Sequence, residues 1–137
     1  GDDITLVTYG STWRVVMEAV NLLKDAGITC DVIDIQTLIP FDINHDIVES
    51  VKHTNRLLIV DEDVPGGASS YILQQVLEDQ DAYKYLDSDP STLTAKEHRP
   101  PYGKDGDYFT KPSREDVFEK VYSIMHESDP LEYPEIY

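Results

Sequence analysis

Three short runs rich in aliphatic and β-branched residues constrain the fold of this chain more than any other feature. They are ITLVTY at residues 4–9, CDVIDI at residues 30–35 and RLLIVD at residues 56–61. None keeps a strict alternation of polar and apolar residues, which is typical of strands buried on both faces of a parallel sheet. The runs therefore predict a sheet that is covered by helices on both sides.

The first and last helices carry the clearest end signals. After the first run, apolar residues recur at helical spacing from about residue 12 to about residue 26, with Ser11 or Thr12 as the N-cap and Gly27 as a left-handed stop. Near the end of the chain, Ser113 and Asp116 form a capping-box-like start. The two apolar stripes are Val16, Ala19, Val20 and Leu23, and Val117, Phe118, Val121, Tyr122 and Met125.

Two further helices are predicted between these, one starting at Asp42 and one ending near Tyr83. Their stripes are Ile43, Ile47, Val48 and Val51, and Ile72, Leu73, Val76 and Leu77. A weaker fourth strand is predicted at residues 91–96, and residues 97–112 are predicted to be loop because they contain three prolines and two glycines.

This order of elements predicts the α/β class. We expect residues 1–127 to form a three-layer α/β/α domain around a mostly parallel sheet of four to five strands. Residues 128–137 form an acidic, proline-containing tail that is expected to be mobile unless a partner holds it.

The charge balance restricts the possible partners. The 137 residues include 27 Asp and Glu but only 11 Lys and Arg, which gives a formal charge of −16. Such a surface repels nucleic acid and anionic lipid, so a basic protein partner is expected. The single cysteine, Cys30, cannot form an internal disulfide, and no apolar run approaches the ~20 residues that cross a bilayer, so a cytoplasmic location is predicted. Gly1 in place of Met indicates a piece of something longer.

Asp61, Glu62 and Asp63 follow the third strand and could suggest a magnesium site. A phosphoacceptor-type site would also need an acidic pair at the end of the first strand, and that strand ends in Tyr9 and Gly10. The three acids are therefore expected to be solvated groups at a strand end. Gly66 and Gly67, just beyond them, lack a Cβ and suit a close approach by backbone or a neighbouring subunit.

The other reactive residues form no catalytic pattern. The turn Gly10-Ser11-Thr12 contains one glycine, whereas phosphate loops need several. The histidines at positions 45, 53, 98 and 126 lack the i, i+3 or i, i+4 spacing of zinc ligands, and Ser69 and Ser70 are not in a G-x-S-x-G elbow. Cys30 is expected to be buried in mid-strand and inert. No catalytic or metal residue is predicted.

Several stretches, taken in order, resemble one family. They are GDDITLVTYGSTWRVVMEAVNLLKDAGITCDVIDIQTLIPFD, SVKHTNRLLIVDEDVPGGASSYI, the loop EHRPPYG and the closing amphipathic helix. Together they resemble the C-terminal domain shared by transketolase-like thiamine diphosphate enzymes, and most closely the β subunit of the decarboxylating component of 2-oxo acid dehydrogenases. The stretch IDIQTLIPFD is more similar to the pyruvate and branched-chain (2-oxoisovalerate) enzymes than to transketolase.

This resemblance implies a domain that carries no catalysis of its own. The parent enzyme would decarboxylate a 2-oxo acid on thiamine diphosphate and magnesium and pass the acyl group to a lipoyl arm, as a homodimer or heterotetramer. This domain would bind no cofactor, pack against other subunits and help to hold the basic binding domain of the lipoyl acyltransferase. The implied interface residues are Asp61, Glu62, Asp63, Gly66, Gly67, Pro101 and Tyr102.

Two departures and two alternatives accompany the resemblance. The stretch from Glu97 to Tyr102 replaces a D-x-P-x-P-Y pattern that is common in relatives, and KDGDYFTKPS after it is longer than usual. Within the family, the alternative is a domain of transketolase or 1-deoxyxylulose-5-phosphate synthase. Outside it, the alternative is a free-standing flavodoxin-like binding module that uses the ends of strands one and three.

The chain alone is expected to show no decarboxylase activity and to bind no thiamine diphosphate, because it has neither a G-D-G motif for the diphosphate nor the activating glutamate implied for the parent. Calorimetric titration of thiamine diphosphate into the chain checks this prediction. Micromolar binding would contradict it.

Overall fold

A four-stranded, all-parallel sheet forms the centre of the chain in a computed structural model that describes residues 1–35, 45–61, 68–98 and 108–136. The strands are β1 (Ile4–Thr8), β2 (Cys30–Asp34), β3 (Leu57–Val60) and β4 (Ser91–Leu93), in the spatial order β2-β1-β3-β4. Ile4 pairs with Cys30 across β1 and β2, and Thr5 pairs with Leu57 across β1 and β3. The predicted parallel sheet is confirmed.

Helices cover both faces of this sheet. They are α1 (Thr12–Asp25), α2 (Asp46–Thr54), α3 (Ala68–Gln74) and α4 (Arg114–Ser128). On one face, Leu6 and Leu58 pack in a cluster with α1 and α4, and on the other face Val7 and Ile59 pack in a cluster with α2 and α3. Neighbouring residues of one strand are thus both buried, which explains the runs without alternation and confirms the three-layer α/β/α architecture.

The end of α1 depends on a glycine, as predicted. Gly27 has φ +82°, and its N–H donates to the Lys24 carbonyl while the Ile28 N–H donates to the Leu23 carbonyl. This pair of bonds is a Schellman motif, in which a residue with a Cβ would be strained. At the other end the predicted N-cap position is confirmed at Ser11, but Ser11 makes no side-chain cap bond, and the Thr12 hydroxyl donates to the Tyr9 carbonyl.

The two middle helices differ in their bounds from the prediction. Helix α2 begins at Asp46, after His45 in the left-handed conformation, while Asp42 and Ile43 lie outside the described residues. The third helix does not run unbroken to Tyr83: α3 passes into a π-helical turn at Gln75–Asp79, and a separate 3₁₀ turn follows at Ala82–Tyr85. Helical spacing of apolar residues cannot distinguish an α-helix from such a widened turn.

The predicted strand at residues 91–96 and loop at 97–112 are partly wrong. Strand β4 ends at Leu93, and Lys96 instead opens a second small sheet, in which β5 (Lys96–His98) pairs antiparallel with β6 (Tyr108–Thr110). Strands of three residues, such as β5 and β6, are too short to show an alternation of polar and apolar residues. The prolines and glycines of residues 97–112 therefore led to the prediction of a loop.

The closing helix and the tail pack on one another. The predicted capping box is confirmed: the Asp116 N–H donates to Ser113 Oγ at 3.1 Å, and the Ser113 N–H donates to Asp116 Oδ2 at 2.9 Å. The tail is held by the chain itself rather than only by a partner, because Tyr133 is 7 % exposed within the α1–α4 cluster and the Tyr122 hydroxyl donates to the Pro134 carbonyl at 2.7 Å. Within the described ranges, no helix has the length and apolar content to cross a membrane.

Replacing Ser113 with Ala should lower the free energy of unfolding by about 1 kcal/mol, because one capping bond of α4 is lost. Urea denaturation of the variant and the parent chain measures the difference. Ser70→Ala, at an exposed position in α3, is the matched control and should change stability by less than about 0.5 kcal/mol. Equal effects of the two substitutions would contradict the capping role.

Candidate functional site

The carboxyl edge of the parallel sheet is the first place to look for a site, because ligands of open α/β sheets lie beyond this edge. Tyr9 follows β1, Asp61 follows β3, and Ser69 lies in the first turn of α3. The structure brings these three residues together.

Asp61 joins the ends of several elements through one buried carboxylate. Its Oδ1 accepts the Tyr9 hydroxyl, and its Oδ2 accepts the Ser69 N–H at 3.0 Å. Its own N–H donates to the Leu93 carbonyl at 2.9 Å, which continues the pairing of β3 with β4. The side chain is 0 % exposed, so the expectation of a solvated acid is wrong for Asp61. A buried carboxylate must be hydrogen-bonded, and both of these oxygens are.

The turn between β1 and α1 is closed by its own hydrogen bonds. The Thr12 hydroxyl donates to the Tyr9 carbonyl at 2.6 Å, and since that uses its one proton, the Thr8 hydroxyl 2.6 Å away donates to Thr12. The Trp13 N–H, which a bound phosphate would need, donates to the Gly10 carbonyl at 3.2 Å. The geometry agrees with an ordinary turn and does not fit a phosphate loop.

The remaining predicted interface residues cannot be placed at this edge. Glu62, Asp63, Gly66, Gly67, Pro101 and Tyr102 lie outside the described residues. Their role at a subunit contact therefore stays a prediction. Across the part of the chain that the structure describes, no group of three or more His, Cys, Asp or Glu side chains could hold a metal ion.

A second polar network, which sequence reasoning missed, lies between the sheet and α2. The Thr5 hydroxyl is 2.7 Å from that of Thr54 and 2.6 Å from that of Ser50, whose hydroxyl donates to Asp31. Because each hydroxyl has one proton and Ser50 donates to Asp31, Thr5 donates to Ser50, while the Thr54 proton is shared between Thr5 and the Arg56 carbonyl 3.2 Å away. The sequence feature that could have indicated this network is the pair Ser50 and Thr54, which are four positions apart and therefore lie on one face of α2. The network ties α2 to β1 and β2.

Cys30 occupies a different place from the one predicted. It is the first residue of β2 rather than a mid-strand residue, and it is partly exposed. Burial, with a smaller contribution from the nearby Asp3 carboxylate, raises the pKa of its thiol to about 12. The thiol is therefore neutral at pH 7, which agrees with the expectation of an unreactive cysteine.

A groove lies between the outer side of α4 and the tail. It has a volume of about 180 Å³ and is lined in part by Phe118, Glu119, Tyr122, His126, Glu135 and Ile136. Sequence reasoning assigned Phe118 and Tyr122 to the apolar stripe of α4, yet only Val117, Val121 and Met125 of that stripe are buried. The two aromatic rings are half-buried and form the floor of the groove.

The comparisons with known proteins agree on one family. Residues 1–117 match the model of the transketolase C-terminal domain. The β subunit of the pyruvate dehydrogenase E1 component from Rickettsia felis is 33 % identical over 129 residues, which cover 93 % of this chain and 39 % of that protein. The mitochondrial β subunit of the same component from Saccharomyces cerevisiae is 31 % identical over 127 residues, which cover 91 % of this chain and 34 % of that protein.

Two more similarities are informative. The mitochondrial 2-oxoisovalerate dehydrogenase β subunit of Dictyostelium discoideum is 43 % identical over 63 residues, which cover 45 % of this chain and 17 % of that protein. A solved structure described as a split-gene transketolase, an inactive β4 tetramer, shares the fold with a TM-score of 0.62 at 23 % identity, over 90 % of this chain and 38 % of that one. The chain thus spans less than two fifths of the length of these proteins.

Replacing Asp61 with Ala should lower the free energy of unfolding by about 3 kcal/mol, because the Tyr9 hydroxyl and the Ser69 N–H lose a buried acceptor. Tyr9→Phe should cost about 1–2 kcal/mol, and the double variant should cost less than the sum, since the two groups share a bond. Urea denaturation gives all three values. Asp34→Ala, at the exposed end of β2, is the control and should be nearly neutral; a similar loss there would show that the burial of Asp61 is not the cause.

Proposed function

The chain belongs to the transketolase C-terminal domain family, and from that premise we propose that it is the C-terminal assembly domain of a thiamine-diphosphate-dependent 2-oxo acid dehydrogenase. The parent enzyme would oxidatively decarboxylate pyruvate or 2-oxoisovalerate and transfer the acyl group to a lipoyl group. The observation that carries this proposal is the similarity of 93 % of the chain to part of a pyruvate dehydrogenase E1 β subunit.

The chemistry belongs to the rest of the parent protein in this proposal. The buried carboxylate at the carboxyl edge of the sheet, Asp61, already accepts hydrogen bonds from Tyr9 and Ser69. The sequence holds no G-D-G motif that could bind magnesium and diphosphate. Because Asp61 at this edge is already hydrogen-bonded within the chain, we place thiamine diphosphate and magnesium in the remaining part of the enzyme.

The proposed role of the domain is to pack subunits and to dock the acyltransferase. A net charge of −16 supports docking of a basic binding domain, since opposite charges favour encounter and register. For the subunit contact, the buried position of Asp61 favours an indirect part, in which it fixes the ends of β1, β3 and α3. Direct contact would then fall to Glu62, Asp63, Gly66, Gly67, Pro101 and Tyr102. The free thiol of Cys30 supports a cytoplasmic location.

The full-length protein, together with any partner subunit encoded in a neighbouring reading frame, should acylate a lipoylated acceptor domain when supplied with thiamine diphosphate, magnesium and either pyruvate or 2-oxoisovalerate. Mass spectrometry of the acceptor detects the acyl group and identifies the preferred 2-oxo acid. Omitting thiamine diphosphate is the control and should abolish the product.

Two other outcomes would reject the proposal. Ketol transfer from a sugar phosphate, without lipoyl acylation, would assign the domain to a transketolase or to 1-deoxyxylulose-5-phosphate synthase. A reading frame that starts at residue 1, with no thiamine-dependent activity in the neighbouring frames, would favour a free-standing binding module.

A further inference from the structure

The tail carries the most exposed large apolar side chain among the residues that the structure describes. Leu131 is 95 % exposed, compared with 66 % for Tyr83 and 54 % for Ile136, the next two. A single exposed leucine is common on protein surfaces and by itself indicates no function. The backbone around Leu131, however, is held in place by several contacts, and this separates it from an ordinary surface residue.

The turn that carries Leu131 is fixed at both ends. Asp129 accepts the Tyr133 N–H through its carbonyl at 3.0 Å and the Glu132 N–H through Oδ1 at 3.2 Å. Pro130 fixes its own φ angle directly before Leu131. Beyond the turn, the Tyr133 side chain is buried in the core cluster. The chain thus presents Leu131 in an ordered position, so that its burial by another surface would cost little backbone entropy.

This turn lies beside the amino end of β1. One guanidinium joins the two places, because Arg56 Nη1 donates to the Asp3 carbonyl at 3.0 Å while Arg56 Nε donates to Ser128 Oγ at 3.1 Å, just before the turn. Burial, followed by the nearby Asp3 carboxylate, raises the pKa of the Tyr133 hydroxyl. The start of β1 and the turn with Leu131 are therefore neighbours at the amino edge of the sheet.

The position of the turn indicates what could cover it. The chain spans less than two fifths of the length of its relatives, and in the proposed function it is the C-terminal domain of its parent. The preceding part of the parent would then join the chain at residue 1, close to Asp3 and so to the turn. The match to the family model ends at residue 117, which leaves the turn outside the matched part of the chain.

We infer that Leu131 anchors this domain to the preceding part of its own parent chain by inserting into an apolar pocket there. Removal of a leucine side chain from water favours such a contact, and the ordered turn lowers its entropic cost. The inference rests on the proposed function, to which it adds one contact that fixes the domain against the rest of the enzyme. A second copy of the chain or a different protein is the alternative occupant, and the experiment distinguishes both.

Photo-cross-linking of the full-length enzyme, with p-benzoylphenylalanine in place of Leu131, tests the inference. Irradiation should join position 131 to a peptide that lies before residue 1 in the same chain, and tandem mass spectrometry identifies that peptide. The product should keep the mass of a single chain in a denaturing gel. The same photo-reactive residue in place of Tyr83, which is exposed on the 3₁₀ turn, is the matched control and should not label that peptide.

Hydrogen exchange of the full-length enzyme gives a second readout. Leu131→Ser should speed amide exchange in the cross-linked peptide by about tenfold, since the burial of one leucine side chain is worth at least roughly that factor. Tyr83→Ser removes an exposed apolar side chain from another surface and should leave exchange in that peptide unchanged.

The possible results separate the anchor from the proposed function. A cross-link to a second copy or to another protein would overturn the preceding part of the chain as the occupant. Absence of a cross-link, or equal exchange in Leu131→Ser and Tyr83→Ser, would overturn the anchor itself. The expected cross-link in an enzyme that does not acylate a lipoyl group would support the anchor and reject the proposed function.

Discussion

The rest of the structure depends on β1 being buried from every side. It is hydrogen-bonded to β2 on one edge and to β3 on the other, and its side chains face two separate cores. Leu6 and Val7 are adjacent residues, both 0 % exposed, on opposite faces. At roughly 1.5–3 kcal/mol for each large aliphatic side chain removed from water, such a strand supplies much of the driving force for folding. The helices on both faces follow from it, since neither face tolerates solvent.

At the end of a strand buried in this way, backbone and side-chain polar groups leave the sheet and need new hydrogen-bond partners. The chain supplies them around Tyr9: Asp61 accepts its hydroxyl and Thr12 donates to its carbonyl. Asp61 also accepts the Ser69 N–H, so the same carboxylate fixes the start of α3. The edge where many α/β proteins bind a ligand is here occupied by the protein's own polar contacts.

The outer side of α4 shows how a helix can serve two purposes. Val117 and Val121 face the core, whereas Phe118 and Tyr122, one position further along, lie half-buried under the tail. Tyr122 links the two surfaces, because its ring meets Tyr133 of the core and its hydroxyl holds Pro134 of the tail. The tail thereby forms the second wall of the groove, and α4 forms the first. Glu119 and Glu135 are among the residues that line this groove.

The sequence by itself determined the α/β class, the parallel sheet, the family and the capping box of α4, because each leaves a local signal: apolar runs, helical stripes, matching stretches and the Ser113–Asp116 pair. The Schellman end at Gly27 is of this kind, since it needs one residue with positive φ. Only the tertiary structure decided that Asp61 is buried, because its partners Tyr9 and Ser69 are 52 and 8 positions away and Tyr9 reaches it across the sheet. The tertiary structure also decided the state of the tail. Its prolines and acids predict a mobile segment, whereas the structure buries Tyr133 in the core cluster and so fixes it. The composition of a segment indicates which of its residues water could solvate, whereas contacts with distant parts of the chain decide which residues, such as Asp61 and Tyr133, are buried.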